Sequence, residues 1–353
     1  MTFQSKSQSH GPNCGVADIH YSMKRYHLCG LGNAIVDLIV EVSDAEFQAL
    51  GFERGTMRLV EAEEQKTLLE QFAAKDPRLV SGGSVGNSTI AFAQLGGKAA
   101  FIGVVGDDRY GMHYQSEFAQ LGIAMGNPII ANQTTGTCVA AITPDAERTM
   151  RTCLGVNTHL SGKHIERDKQ LIAESEWLFV EGYLFANPET GQEAIREAVN
   201  VAKANGTKVA VTCSEAFIVH VFGNALSDIL KQTDLFFCNA TEACAAANAR
   251  DSQEAFQKLK DLVPNCVVTD GPAGAYIRWD DKEYHAPAET CEPKDLTGAG
   301  DMFAGSFLYG VTHGVDPATA GRAANLLAKH VITQIGARLH SGAKDLWLRG
   351  VTV

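Results

Sequence analysis

Short apolar runs and amphipathic segments alternate along most of the chain. The apolar runs typical of buried strands are HLCGLGNAIVDLIVEV, AAFIGVVG, WLFVEGYLF, KVAVTC, ILKQTDLFFCNA and CVVTD. The segments with helical spacing of apolar residues are STIAFAQLG, GMHYQSEFAQLG and PETGQEAIREAVNVAKANG. Near-continuous apolar runs indicate strands that are covered on both faces. The pattern therefore predicts an α/β fold, with a mostly parallel central sheet flanked by helices on both faces.

Two regions depart from this alternation. GTMRLVE at 55–61 and the segment 128–154 are typical of short strands with turn residues and no helix between them. With the end of the first strand, from residue 38, they predict a small separate β-sheet, and such an accessory sheet commonly acts as a lid. The polar, aperiodic start predicts a disordered extension at 1–25, followed by one domain at 26–345 and a C-terminal tail at 346–353.

Composition and charge narrow the class of protein. The 353 residues are 45% hydrophobic and 20% charged, which is typical of globular proteins, and their net charge is -11. An acidic chain lacks the basic patches that bind nucleic acids or anionic membranes, so we expect a small-molecule partner. Nine cysteines without a C-x-x-C pair fit neither a disulfide framework nor a zinc site, which favours the reducing cytoplasm. The sequence also lacks an apolar stretch of the roughly 20 residues that span a bilayer.

The segment DLTGAGDMFAGSF at 295–307 combines a glycine turn with the start of a helix-compatible run. Gly298, Ala299 and Gly300 leave backbone N–H groups uncovered at the positive end of a helix, where an anion such as phosphate binds. Asp301 in the same turn is suited to accept a proton from a hydroxyl that attacks phosphate. The alternative is that Asp301 only caps the helix, by accepting hydrogen bonds from the free N–H groups of the first turn.

A second glycine-rich segment, SGGSVGNS at 81–88, runs into the helical STIAFAQLG. Its paired glycines allow a ligand to approach the backbone closely, while Ser84 and Asn87 offer hydrogen bonds; a plain loop with a helix cap is the alternative. A dinucleotide-binding fingerprint is disfavoured, because Ile35 stands where the motif beginning at Gly30 and Gly32 needs a third small residue. The sequence also lacks the phosphate-loop motif G-x-x-x-x-G-K-[ST] and the protein kinase motifs.

The ordered motifs resemble those of the PfkB-type carbohydrate and nucleoside kinases, the ribokinase family, from about residue 26 to 345. DLTGAGD is similar to the C-terminal signature D-T-x-G-A-G-D and departs from it at Leu296, where Thr is usual. SGGSVGNSTIAFAQLGGKAAFIGVVGDDRYG resembles the N-terminal signature. Two long signatures in the right order are far more specific than a lone glycine motif. The resemblance implies a ribokinase-like fold and phosphoryl transfer to an alcohol.

The resemblance also assigns roles at the reaction centre. It implies that Asp301 is the catalytic base and that the amides of the Gly298–Gly300 turn form the anion hole. The residues implied to bind the acceptor are Asn33, Asp37, Gly82, Gly83, Ser84, Asn87, Cys138 and Tyr183. Tyr183 would stack on a purine ring; the alternative is that Cys138 and Tyr183 are core residues of their strands.

On the nucleotide side, the segment NATE at 239–242 resembles the family's N-x-x-E motif. This implies that Asn239 and Glu242 organise magnesium and phosphate through water, unless Glu242 is only an exposed acid in the first turn of a helix. Arg148, in the lid-like segment, would neutralise phosphate or else is a solvated surface residue. The residues implied to lie beside the nucleotide are Asn239, Asp270, Gly271, Gly274 and Thr297.

The lid segment and the opening motif look most like the adenosine-kinase branch of the family. The expected function is therefore transfer of the γ-phosphoryl group of ATP to a nucleoside, with adenosine as the acceptor, AMP as the product and Mg²⁺ as the cofactor. Two alternatives stay open: a ribokinase-like or other sugar kinase, and a non-catalytic protein of this fold that binds a metabolite. The resemblance leaves a monovalent cation such as K⁺ and the choice between monomer and homodimer open.

Overall fold

A computed structural model describes residues 24–126, 128–145 and 147–352. The strands are β1 Tyr26–Leu31, β2 Ile35–Glu41, β3 Met57–Leu59, β4 Arg78–Gly82, β5 Ala99–Ile102, β6 Val105–Gly106, β7 Ala124–Gly126, β8 Ile129–Ile130, β9 Gly136–Ile142, β10 Arg148–Cys153, β11 Ser175–Glu181, β12 Lys208–Thr212, β13 Leu235–Asn239, β14 Cys266–Thr269, β15 Ala275–Trp279 and β16 Lys282–Ala286. The helices are α1 Asp44–Leu50, α2 Ala62–Phe72, α3 Ser84–Gln94, α4 Arg109–Gln120, α5 Gly162–Ala173, α6 Gly191–Ala204, α7 Ala216–Leu230, α8 Ala240–Ala247, α9 Ser252–Lys258, α10 Ala299–Thr312, α11 Pro317–Ile332 and α12 Ala343–Val351. Residues 1–23 of the expected N-terminal extension lie outside the described residues.

A nine-stranded sheet forms the centre of the fold. Its strand order is β16-β15-β14-β13-β12-β11-β1-β5-β7, and only the pairs that involve β15 are antiparallel. The central strands are almost wholly buried, as expected for parallel strands covered by helices on both faces. The mostly parallel α/β sheet predicted from the apolar runs is therefore confirmed.

A second, five-stranded sheet has the order β3-β10-β9-β2-β4. This confirms the predicted small separate sheet, but three of its details were wrong. The run HLCGLGNAIVDLIVEV is not one strand, because β1 and β2 belong to different sheets. The strand β4 lies outside the predicted segments, and β8, which lies inside them, pairs with β6 in a two-stranded sheet of its own. Pairing partners far apart in sequence decide these details, and periodicity does not reveal them.

Helices cover both faces of the large sheet. One face packs against α3, α10, α11 and α12, and the other against α5, α6, α7 and α9. The small sheet buries one face against α1 and α2 through side chains such as Phe47 and Leu68. The predicted C-terminal tail at 346–353 was wrong, because residues 346–351 belong to helix α12, whose Leu346 and Trp347 are buried in the core. Within the described ranges, none of the helices combines the length and the apolar character needed to cross a membrane.

Candidate active site

The turn before α10 presents free amides to the site. Gly298 has φ 78°, a left-handed conformation that favours glycine, and the helix begins at the next residue without a side-chain cap. In the described part of the chain, the amides of Gly298, Gly300 and Asp301 donate to no acceptor. Uncapped amides at a helix N-terminus attract anions, so this turn can hold a phosphate group.

Asp301 does not cap the helix to which it belongs. Its carboxylate instead accepts hydrogen bonds from Ser84 Oγ at 2.7 Å and Asn87 Nδ2 at 3.0 Å, both from the first turn of α3. The pKa of Asp301 is raised to about 6, because the effect of burial outweighs that of the two hydrogen bonds, which lower the pKa. A carboxylate with a raised pKa at the mouth of an anion-binding turn is suited to accept a proton at neutral pH. The two glycine-rich segments thus meet at Asp301, although about 210 residues separate them.

The second turn, at Gly82 and Gly83, approaches the residues expected to bind the acceptor. A Cβ on Gly83, whose φ is 86°, would collide with the backbone carbonyl oxygen of Asn33. A Cβ on Gly82 would lie 3.0 Å from Asp37 Oδ2. Gly83 is therefore needed for the close approach of the backbone at Asn33, and a side chain at residue 82 would crowd the Asp37 carboxylate, so this turn lies directly against Asn33 and Asp37.

Glu181, which the sequence reasoning missed, lies beneath this second turn. It accepts hydrogen bonds from Asn33 Nδ2 at 2.6 Å and from the Val85 amide at 3.1 Å, and its side chain is almost fully buried. Burial raises the pKa of Glu181 to about 7, with a further contribution from the negative charge of Asp301. A sequence signal existed, because an acid at the carboxyl end of a buried parallel strand lies where ligands bind in open α/β sheets.

Arg148 lies between two carboxylates. Its Nη1 is 2.9 Å from Asp295 Oδ2 and its Nη2 is 3.8 Å from Asp37 Oδ2. Arg148 is 8% exposed, so the alternative of a solvated surface residue was wrong. Asp295, also missed from the sequence, accepts hydrogen bonds from the amides of Thr297 at 3.0 Å and Gly336 at 2.8 Å. Arg148 thus links strand β10 of the small sheet to Asp295, which lies three residues before Gly298 of the anion-binding turn.

Cys138 and Tyr183 lie on different sides of the acceptor region. Cys138 is paired with Asp37 across the small sheet and is buried, and burial together with the Asp37 charge raises its pKa to about 12. Tyr183 follows β11 in a short helical turn, where its hydroxyl donates to Glu215 Oε2 at 3.1 Å. Its ring is partly buried and lies 6.3 Å from that of Phe217. Cys138 is thus a strand residue beside a site carboxylate, whereas Tyr183 is not in a strand.

Asn239 and Glu242 form a reciprocal cap at the start of α8. Glu242 accepts hydrogen bonds from the Asn239 amide at 3.0 Å and from its Nδ2 at 2.7 Å, and the Glu242 amide donates to Asn239 Oδ1 at 2.9 Å. Glu242 is 6% exposed, so the alternative of an exposed acid was wrong. Burial raises the pKa of Glu242 to about 7, and the charges of Glu215 and Asp301 contribute. The negative charge of a buried Glu242 would be offset by a divalent cation.

A largely apolar cavity of about 340 Å³ opens beside the anion-binding turn. Ala299 and Gly300 line it, as do Gly271 and Gly274, two of the residues expected to lie beside the nucleotide. The apolar walls are contributed by Pro272, Ala288, Pro293, Leu296, Phe303, Ala328 and Ile332. Asp270, also expected beside the nucleotide, is not among the residues that line the cavity; its carboxylate accepts a hydrogen bond from Ser252 Oγ at 2.7 Å. The cavity is suited to a flat, apolar group attached to the phosphate that the turn would hold.

A mostly parallel sheet with an anion-binding turn and a carboxylate of raised pKa is the arrangement expected of an α/β enzyme that transfers a phosphoryl group to a small molecule. Residues 56–343 match the family described as "pfkB family carbohydrate kinase". That is most of the chain, and the protein therefore belongs to this family, whose members transfer phosphate to sugar or nucleoside hydroxyl groups.

Individual relatives agree with this assignment. The ribokinase of Haemophilus influenzae is 26% identical over 246 residues, which cover 68% of this chain and 76% of that protein. The structure of a probable sugar kinase from Rhizobium etli is 29% identical, with a TM-score of 0.84, and covers 94% of this chain and 100% of its own. The adenosine kinase structure from Sinorhizobium meliloti is 30% identical, with a TM-score of 0.82, and covers 92% of this chain and 99% of its own. The predicted ribokinase-like fold and family are thereby confirmed.

Proposed function

We propose that the protein transfers the γ-phosphoryl group of ATP to the hydroxymethyl group of a nucleoside, with adenosine as the preferred acceptor. The observation that carries the proposal is the position of Asp301, which lies in the anion-binding turn and is held there by Ser84 and Asn87. A base in this position lies next to both the phosphate and the attacking hydroxyl. Phosphoryl transfer needs positioning and charge stabilisation more than covalent chemistry, and the turn supplies both.

The acceptor and the nucleotide would bind at different ends of the site. The acceptor hydroxyls would bind Asn33 and Asp37 beside the Gly82–Gly83 turn, since a carboxylate and an amide there offer both acceptors and a donor. The nucleotide base would occupy the apolar cavity, with its phosphates toward Gly298–Gly300. Arg148 would add positive charge near the transferred group, after exchanging part of its ion pair with Asp295 for phosphate.

In the part of the chain that the structure describes, no group of three or more His, Cys, Asp or Glu side chains could hold a metal ion directly, so magnesium would be held through water. Asn239 and Glu242 would hold Mg²⁺ through water, because Glu242 is buried and the negative charges of Glu215 and Asp301 act on it, and a divalent ion would offset this charge. Bound Mg²⁺ would neutralise charge on the nucleotide phosphates. The chain's own residues then orient the acceptor, remove its proton at Asp301 and stabilise the phosphoryl group at the backbone amides.

Two observations bear on the acceptor. The pair of aromatic rings at Tyr183 and Phe217 offers a surface on which a nucleobase could stack, which favours a nucleoside. The likeness to the adenosine kinase of Sinorhizobium meliloti supports the same choice. A sugar kinase is the second candidate, because the buried Glu181, Asn33 and Asp37 supply polar groups that a sugar alone would satisfy, and sugar kinases are among the relatives.

Nucleotide consumption with a panel of acceptors tests this proposal. We expect phosphorylation of adenosine with a kcat/KM at least tenfold above those of ribose and fructose, detected as AMP by chromatography. Asp301→Asn, which is nearly isosteric but cannot accept a proton, should lower kcat by about 10²- to 10⁴-fold with acceptor affinity nearly unchanged. Faster turnover of a free sugar than of any nucleoside would replace the first candidate with the second. Unchanged turnover in Asp301→Asn would remove Asp301 from the role of base.

A further inference from the structure

Arg338, Glu117 and the backbone of Ser81 form a buried hydrogen-bonded unit beneath the acceptor turn. Arg338 Nη1 donates to Glu117 Oε1 at 3.1 Å, and Arg338 Nη2 donates to the carbonyl oxygen of Ser81. The Ser81 amide donates to Glu117 Oε2 at 2.9 Å. Arg338 is 9% exposed, and its positive charge holds down the pKa of Glu117 against the effect of burial. Both backbone groups of Ser81 are therefore satisfied by one ion pair.

The location of Ser81 makes this unit relevant to the site. Ser81 lies in β4, an edge strand of the small sheet, and edge strands carry backbone groups without a strand partner. The next two residues are Gly82 and Gly83 of the acceptor turn. The Arg338–Glu117 pair thus makes the backbone hydrogen bonds that a neighbouring strand would otherwise make to Ser81, the residue that precedes this turn.

Arg338 also ends a segment that contacts the anion-binding turn. In residues 336–338, the Gly336 amide donates to Asp295 Oδ2 at 2.8 Å. A Cβ on Gly298 would collide with the backbone of Ala337, so this turn packs directly on the segment. Residues 336–338 therefore pack on the anion-binding turn through Ala337 and, through the Arg338 side chain, bind Ser81, the residue that precedes the acceptor turn.

We infer that Arg338 is a positioning residue, which with Glu117 fixes the acceptor turn relative to the anion-binding turn. The inference rests on the proposed function, in which the acceptor hydroxyl at Gly82–Gly83 attacks a phosphoryl group held at Gly298–Gly300. Reacting groups must align closely, and a displacement of about 1 Å can lower the rate by about 10²-fold. Losing the Ser81 contacts would displace the acceptor and leave the nucleotide cavity unchanged.

Arg338→Lys tests this inference without leaving an uncompensated buried carboxylate. A single ammonium keeps the charge opposite Glu117 but cannot reproduce the planar guanidinium that serves Glu117 and the Ser81 carbonyl together. We expect kcat/KM for the acceptor to fall at least tenfold, with ATP affinity by calorimetry within about threefold of wild type. Arg349→Lys on the surface of α12 is the matched control and should behave as wild type.

A double variant with exchanged charges, Arg338→Glu with Glu117→Arg, tests whether the hydrogen bonds to Ser81 matter or only the attraction between the two opposite charges. The swap restores opposite charges, but it presents a carboxylate to the Ser81 carbonyl and a guanidinium to the Ser81 amide, so it should not restore activity. Should the swapped protein fail to fold by circular dichroism, the Arg338→Lys values decide alone. Rescue by the swap, or equal losses of ATP affinity and acceptor kcat/KM in Arg338→Lys, would overturn the positioning role. A wild-type protein that phosphorylates no acceptor would instead defeat the proposed function.

Discussion

Asp301 shows how two hydrogen bonds set the state of one carboxylate. Burial raises the pKa of Asp301, whereas the hydrogen bonds from Ser84 and Asn87 lower it by favouring the ionised form. The resulting pKa of about 6 leaves the carboxylate mostly ionised at neutral pH and still able to accept a proton. Two side chains of the first turn of α3 thus lower the pKa of Asp301, the proposed base in α10.

This environment predicts the pH dependence of the reaction. The base must be ionised to act, so kcat/KM for the acceptor should fall as pH decreases through about 6. Asn87→Ala removes a donor to the ionised form, which raises the pKa of Asp301, and the acid limb of the profile should move to higher pH. Thr89→Val, on the same helix but bonded only to the Val85 carbonyl, is the control and should leave the limb in place. An acid limb in Asn87→Ala at the wild-type pH would show that Asp301 does not set it.

The residues that could be predicted from the sequence are those whose chemistry is local. Asp301 and the glycines of its turn are neighbours in the chain, so one segment suggests both the proposed anion hole and the proposed base. The residues that were missed, Glu181, Asp295 and Arg338, act through partners more than 40 residues away in sequence. Nothing in the local pattern indicates such partners, because they become neighbours only when the sheets form.

At the scale of elements, the small sheet carries three of the residues proposed to bind the substrates, so these residues would move together with the sheet. Strands β2, β9 and β10 hold Asp37, Cys138 and Arg148, and β3 forms an exposed edge whose Met57 and Leu59 are 43% and 56% exposed. Apolar side chains exposed on a strand next to a site offer a surface for a ligand to cover. We therefore expect the small sheet to act as a lid that closes on the acceptor.

Hydrogen exchange tests whether the small sheet closes when the acceptor binds. Amide exchange in 57–59 and 136–153 should slow when adenosine is added, and slow much less with ribose, which has no base to contact the lid or Tyr183. Strand β12 of the large sheet is the internal control, because its buried amides should exchange slowly in every state. Equal protection by both ligands would indicate a pocket that recognises only the sugar, and protection by ribose alone would favour the sugar-kinase candidate.

Element boundaries could be predicted less well than element types. The alternation of apolar and amphipathic runs predicted the parallel sheet, since a buried strand needs a continuous apolar run whatever its partners. It could not reveal that residues 32–34 separate two strands of different sheets, because Gly32, Asn33 and Ala34 are as buried as the strands they connect. Burial of that connection follows from its place in the site, where Asn33 contacts Glu181.

At the scale of the whole molecule, helix α12 completes the part of the core against which α10, the helix of Asp301, packs. Trp347 of α12 packs edge-on against Tyr309 of α10, with ring centroids 5.4 Å apart. A Cβ on Gly310 would lie 2.8 Å from the Trp347 ring, so the two helices approach closely at this glycine. Because Asp301 lies in the first turn of α10, the last residues of the chain stabilise the helix that carries the proposed base.

This packing predicts unequal effects for two adjacent residues of α12. Trp347 is 6% exposed and Leu348 is 58% exposed, although both are large and apolar. Trp347→Ala should lower the free energy of unfolding by about 3 to 5 kcal/mol, because it removes a buried ring and leaves a cavity between α10 and α12. Leu348→Ala, the matched control, should change it by no more than about 0.5 kcal/mol. Urea unfolding monitored by far-UV circular dichroism, which does not depend on the deleted tryptophan, measures the stability of both variants. Equal free energies of unfolding would mean that the packing of Trp347 against α10 does not stabilise the fold.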